Sequence, residues 1–305
     1  MHRIISTLAF SGAVATGAFV YGALYERNAF TLRTFTVPVL PRGSAPFTIL
    51  HLSDAHMTPG QSRKQAWLRG LAELEPDLIV NTGDNLAHLD AVPALLDSFG
   101  ELLDVPGVFV FGSNDYFTPT FKNPAAYLFA HSGGARTREA DLPWRDLRDA
   151  FIGEGWHDLS NQHARFTVQG LDLAFAGVDD PHLGYDDLAA VEGPAAADAD
   201  LAIGVAHAPY LRVLDAFNRD GYPLILAGHT HGGQVAVPGY GALVTNCDLN
   251  RERAKGLHQH RTPGKAASWI HVSAGLGTSP YAPVRFACRP EASLLTLTEI
   301  DSFGS

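Results

Sequence analysis

Short apolar runs, each closed by a polar residue, punctuate this chain and limit its fold more than any other feature. FTILHLS (47–53), DLIVNTG (77–83) and GVFVFGS (107–113) have the length and β-branched content of buried strands. Between them lie RKQAWLRGLAEL (63–74) and DAVPALLDSFGELLD (90–104), both with apolar residues at helical spacing. Asp90 stands where a cap would, with Pro93 in the following turn. Further strand-like runs are LDLAFAGV (171–178), LAIGVAH (201–207), PLILAGH (223–229), GQVAVP (233–238), SWIHVSAG (268–275) and SLLTLTEI (293–300). Strand, helix, strand, helix, strand predicts a layered α/β fold. The predicted domain is one unit over 47–305, with the charge- and glycine-rich stretch 131–165 as an insertion.

The N-terminus differs. Ile4 to Tyr25 is a run of 22 residues without a charge. At about 1.5 Å per residue such a helix crosses a bilayer core of about 30 Å. It exceeds the apolar stretch of a signal peptide and ends in YGALYER, without a small-x-small cleavage site. Residues 1–25 are therefore expected to be a transmembrane anchor, and 26–46, with three prolines in TLRTFTVPVLPRGSAP, a linker. Arg27, Arg33 and Arg42 against Arg3 lean towards a cytoplasmic domain without fixing the side.

Composition narrows the chemistry. Two cysteines, Cys247 and Cys288, exclude a disulfide scaffold, a Cys-rich zinc module and an iron–sulfur protein. A net charge of −10 argues against a nucleic-acid partner. Any bound metal must be held by His, Asp, Glu or Asn, and the chain has 14 histidines.

Such residues gather where the apolar runs stop. Asp54-Ala55-His56, Gly83-Asp84-Asn85, Ser113-Asn114-Asp115, His207 and His229-Thr230-His231 each close one run. The carboxyl ends of strands in an α/β sheet form the ligand crevice. One Asp after a strand is a turn and one His is a core residue, but five runs ending this way resist that reading. Nitrogen and oxygen donors suit Mn²⁺, Fe²⁺, Zn²⁺ or Mg²⁺. Two such ions about 3.5–4 Å apart can share a carboxylate and a hydroxide that attacks phosphorus in line.

These motifs, Asp54-x-His56, Gly83-Asp84, Asn114, His207 and Gly228-His-Thr-His231, resemble the calcineurin-like metallophosphoesterases. The strings GHTHGGQ, HAPY and GLGTSPYAPVRF look like its membrane-associated bacterial branch. The resemblance implies a four-layer α-β-β-α sandwich and a phosphomonoesterase or phosphodiesterase with two divalent cations. It implies that Asp54, His56 and His231 hold the first cation, Asn114, His207 and His229 the second, and that Asp84 bridges them.

One departure stands out. The family usually reads Gly-Asn-His-Asp or Gly-Asn-His-Glu after the third strand, with Asn as ligand and His assisting the leaving group. Here the string is Gly112-Ser113-Asn114-Asp115. Keeping Asn114 as ligand puts Asp115 at the histidine position, whereas an ungapped match makes Ser113 the ligand. Either way the leaving-group histidine is missing, and Asp115 and His182 are the candidate replacements. Arg285 is a candidate phosphoryl contact, and Gly275–Ser279 could cradle a phosphate as readily as turn a sheet end. His51 and His271, inside strand-like runs, are expected in the core. The altered string leaves an alternative, a membrane-tethered metal-binding or interaction protein without catalysis. An anchored enzyme makes a lipid headgroup, a lipid-linked precursor or an envelope phosphoester candidate substrates, which the residues do not rank.

Overall fold

Alternation along the strands creates two apolar faces, and both are covered. In FTILHL, Phe47 and Ile49 point to one side while Leu50 and Leu52 point to the other, and all four are buried. The computed structural model describes residues 16–120 and 139–300. Its strands are β1 (Thr31–Leu40), β2 (Phe47–Leu52), β3 (Leu78–Asn81), β4 (Gly107–Phe109), β5 (His157–Asp158), β6 (Gln162–Val168) and β7 (Leu171–Gly177). Then come β8 (Leu201–Ala206), β9 (Leu224–Ala227), the short pair β10 (Ala236–Val237) and β11 (Gly241–Ala242), β12 (Gly256–His260), β13 (Ser268–Val272) and β14 (Glu291–Glu299).

Two six-stranded mixed sheets result, ordered β1-β14-β2-β3-β4-β5 and β12-β13-β9-β8-β7-β6. Their facing sides share one core, in which Ile49, Val80 and Val108 of the first sheet meet Phe175, Ile203 and Leu226 of the second. Helices Ser62–Arg69, Ala91–Phe99 and Trp144–Gly153 cover the outer side of the first sheet. Helix Leu211–Asp220 covers the second. The predicted α/β layering is this sandwich. Parallel pairing of β2-β3-β4 and of β7-β8-β9-β13 carries their carboxyl ends, and the polar residues just beyond, to one rim.

Three stretches differ from expectation or lie beyond the description. The expected linker 26–46 contains β1, which runs parallel to β14 at the sheet edge. Its prolines argued for a linker, but an edge strand tolerates Pro38, and the register slips next to that residue. Of the expected insertion 131–165, residues up to 138 lie outside the described residues. The remainder supplies a helix and the strands β5 and β6, which complete an edge of each sheet. Phe151 stacks with both Phe99 and Trp156, an apolar face hidden among charges in the sequence. Of the expected anchor 1–25, residues 1–15 lie outside the described residues. Residues 16–25 are helical, and no helix among the described residues is long and apolar enough to cross a membrane.

His51 and His271 do lie in the core, between the sheets, with their Nδ1 atoms 2.8 Å apart. Burial pushes the His51 pKa down to about 3, and that of His271 well below the ordinary value. An unfolded histidine titrates near 6.5, so below that pH the unfolded chain takes up a proton that folded His51 refuses. Stability is therefore expected to fall as pH drops from about 6.5 towards 3, by about 2 kcal/mol for this group at pH 5. Denaturant unfolding at pH 7 and pH 5 checks this, since His51→Leu should reduce the difference by about that amount.

Candidate metal centre

Five candidate ligands leave their strands in a backbone conformation that side chains avoid. Asp54, His56, Asp84, His229 and His231 all have positive φ, between 41° and 67°. Such strain persists only where surrounding structure enforces it. The enforcing contacts are visible. Asp54 N donates to Gly83 O and His56 N to Asp84 O, which ties the first ligand loop to the second. Leu276 N and Gly277 N donate to Ser53 O and Asp54 O. The main-chain donors of Leu276 and Gly277 thus pin Asp54, so these two amides are not part of a phosphate cradle.

Asp54, His56, Asp84 and His231 converge, with one ligand atom from each lying within 4.8 Å of the others. All four are buried. His56 Nε2 faces His231 Nε2 at 3.1 Å, and His231 Nε2 is 3.4 Å from Asp54 Oδ1. Asp54 Oδ1 has no hydrogen-bond partner. A buried carboxylate oxygen left bare costs free energy unless a cation faces it, so this group of side chains fits a divalent metal ion.

The other predicted ligands adjoin the same carboxylate. His207 Nε2 stands 3.5 Å from Asp84 Oδ1, and His229 Nδ1 stands 3.3 Å from His207 Nε2. Asn114 donates from its main chain to Asp84 Oδ1 at 2.7 Å and from its amide to Asp84 Oδ2 at 2.6 Å. Ser113 keeps its hydroxyl 3.4 Å from that amide. The far sides of three of the histidine rings are anchored as well. His207 Nδ1 meets Thr82 O at 2.7 Å, His231 Nδ1 meets Gly277 O at 3.2 Å, and His229 Nε2 meets Asn246 O at 3.2 Å. Each main-chain carbonyl pairs with one ring nitrogen and turns the opposite nitrogen towards the centre.

Electrostatics prepare the site. Burial pushes the His56 pKa down to about 4 and holds His229 and His231 well below the ordinary value. These rings are neutral at pH 7, as cation binding requires. Burial works against the charged form of His207 too, but Asp84, Asp180 and Asp54 outweigh it and hold its pKa up at about 9. Burial likewise opposes the charge on Asp84, yet His207, His56 and the Asn114 N–H groups keep it well below the usual carboxylate range. Without a metal, the His207 imidazolium balances the carboxylates, and a cation arriving there must displace its proton.

Close packing leaves no slack behind these ligands. A Cβ on Gly112 would sit 2.4 Å from Asp84 Oδ1 and 2.6 Å from His207 Cε1. Gly112→Ala is therefore expected to weaken metal binding at least about tenfold and cost about 1–3 kcal/mol of stability. Metal titration and thermal unfolding of that variant are the checks.

Two expected roles change. Asp115, expected to assist the leaving group, accepts from the main-chain N–H groups of Asp84, Asn85 and Gly112 at 2.8–2.9 Å and is fully buried. Its carboxylate clamps the Asp84 loop to the Gly112 turn. Arg285, expected to touch substrate, is 0% exposed. Its guanidinium spans the carbonyls of Ala274, Gly275 and Gly277 at 2.7–3.0 Å and lies 3.3 Å from His231 Nδ1. It holds the loop behind His231.

His182 lies close by, its ring centroid 4.5 Å from that of His229 and its Nδ1 3.1 Å from the Tyr210 hydroxyl. Four supporting residues escaped the sequence reading. Ser53 donates to Asp54 Oδ2 at 2.5 Å, Thr82 supports His207, buried Asp180 holds the His182 main chain at 2.8 Å, and Lys64 donates to Ala55 O. Ser53, Thr82 and Asp180 adjoin motif residues in sequence, which was the available signal. Lys64 carried none, since a lysine on a helix is ordinarily at the surface. Beside Asp115, Tyr116 and Phe117 are core residues.

Comparison with known proteins agrees with this geometry. Residues 47–233 match the family described as calcineurin-like phosphoesterase. The chain is 28% identical to the uncharacterized metallophosphoesterase YkuE of Bacillus subtilis, over 94% of each chain. It is 26% identical to the phosphodiesterase YaeI of Escherichia coli, over 97% of this chain and 98% of that one. It is 28% identical to a bovine transmembrane protein with metallophosphoesterase domain, over 93% of this chain and 61% of the relative.

Proposed function

Since this chain belongs to the calcineurin-like phosphoesterase family, we propose that it hydrolyses a phosphoester with the help of two divalent cations. The observation that carries the reading is the convergence of Asp54, His56, Asp84 and His231 around an unpartnered buried carboxylate oxygen. In this reading Asp54, His56 and His231 hold one cation, and Asn114, His207 and His229 hold the other. Asp84, with neighbours from both sets, is shared. Mn, Fe, Zn and Mg all suit such donors. When bound, the cations would supply an acidified water and offset charge on the phosphoryl oxygens.

The chain's own residues supply orientation and proton handling. Thr82, Gly277 and Asn246 carbonyls fix the histidine rings, and Asn114 fixes Asp84. His182 takes the proton-donating role at the leaving group, which the usual Gly-Asn-His string would otherwise fill. Its support is proximity to His229 and orientation by the Tyr210 hydroxyl. His182→Ala is expected to lower kcat about 10²-fold on alkyl phosphodiesters while sparing p-nitrophenyl esters, whose leaving group needs no proton. An unchanged pH–rate profile on the alkyl substrate would remove His182 from the mechanism.

Residues 1–25 are proposed to anchor the enzyme in a membrane. Support comes from the uncharged run, from the exposure of Phe19, Leu24 and Tyr25 in its described portion, and from the bovine relative's description as transmembrane. YaeI's description as a phosphodiesterase favours a diester, and an anchored site favours a lipid-linked one. Full-length protein reconstituted with Mn²⁺ should hydrolyse bis-p-nitrophenyl phosphate, lose the activity in EDTA and regain it with metal. Metal binding without turnover of any phosphoester would point instead to a tethered binding protein.

A further inference from the structure

Beside the metal centre, between the end of the N-terminal helical segment and helix Ser62–Arg69, lies a cavity of about 250 Å³. That is room for about eight water molecules at ~30 Å³ each, the scale of a small anion with part of its carrier. Arg27, Arg63 and Lys64 line it, and no carboxylate does. Among the described residues none of the three pairs with a carboxylate, whereas Arg69, nearly two turns beyond Arg63, pairs with Asp97 at 2.6 Å.

Lys64 is 5% exposed, and its ammonium donates to Ala55 O. Burial, with Arg285 and Arg27 nearby, pushes its pKa down to about 7. Long cationic side chains at a surface ordinarily spread into water or find carboxylates; three gathered without one make a site that an anion would relieve. Asn28, Gln61 and Thr278 add polar groups to the wall.

The cavity adjoins the catalytic loops. Ala55, which accepts from Lys64, lies between Asp54 and His56. Gly277, in the cavity wall, donates to Asp54 O at 2.6 Å, and its carbonyl meets His231 Nδ1. Arg27 lies two residues beyond exposed Tyr25, with buried Glu26 between them.

We propose that this cavity is a second phosphate-binding subsite, which takes a phosphate group borne elsewhere on the substrate than the scissile one. The inference rests on the phosphoesterase reading and narrows it to phosphoesters carrying a second phosphate. The second phosphate belongs either to a lipid headgroup or to a soluble ester, since both present the same dianion.

Calorimetric titration of the metal-reconstituted, full-length chain with inorganic phosphate tests it. Wild type should bind two equivalents, one at the metal centre and one here. Arg63→Ala should weaken the second at least tenfold, and Arg27→Ala/Arg63→Ala should bind one equivalent only. Competition for the second equivalent separates the sources. Dihexanoyl phosphatidic acid competing at least tenfold better than glycerol 3-phosphate assigns a lipid headgroup, and equal competition assigns a soluble ester. Two equivalents persisting in the double variant, or one in wild type that still hydrolyses bis-p-nitrophenyl phosphate, would overturn the subsite and leave the phosphoesterase reading intact. Absence of hydrolysis by metal-loaded wild type would instead defeat that underlying reading.

Discussion

Asp84→Ala is expected to lower kcat/KM at least on the order of 10³-fold, because removal of even one electrostatic donor in such a site costs 10²–10³-fold. Asp84 presents its carboxylate oxygens to ring nitrogens of both ligand groups, 3.6 Å from His56 Nε2 and 3.5 Å from His207 Nε2. Its loss should therefore weaken both cations together, whereas His229→Ala should weaken one. Metal content after gel filtration, measured beside hydrolysis of bis-p-nitrophenyl phosphate, separates these outcomes. Full metal content in Asp84→Ala would show that the shared position has been misassigned. The fold itself should survive the change, because Asp115 still ties the loop through the Asp84 and Asn85 N–H groups.

Arg285→Met should cost about 3–5 kcal/mol of stability, since the buried carbonyls that its guanidinium satisfies are left without a donor. Those carbonyls belong to residues 274–277, the loop that pins Asp54 and His231. Metal affinity should fall with stability. A substrate-binding arginine would behave differently, raising KM with an unchanged unfolding midpoint. Thermal unfolding and steady-state kinetics on the same preparation distinguish the two.

The metal site was more legible than its surroundings, for a physical reason. With cysteine scarce, metal ligands here come from His, Asp, Glu or Asn, and an α/β sheet gathers its ligands at the carboxyl ends of strands, so Asp54, His56, Asp84 and His231 stand out where the apolar runs stop. Arg285 stood out by its residue type and Asp115 by its place in the Gly-Ser-Asn-Asp string, and neither signal encodes burial. Only the fold shows that one meets buried carbonyls and the other buried N–H groups. Strand β1 was hidden by prolines that an edge position tolerates, and the helix Trp144–Gly153 by charges on its outer face. Lys64 illustrates the remaining gap: its burial follows from where helix Ser62–Arg69 meets the Asp54–His56 loop, which no local pattern encodes.

Anomalous diffraction from Mn²⁺-soaked crystals of the full-length protein tests the central claim most directly. The account predicts two peaks about 3.5–4 Å apart. One should be bounded by Asp54, His56 and His231, the other by Asn114, His207 and His229, with Asp84 reaching both. A single peak, or peaks away from Asp84, would contradict it.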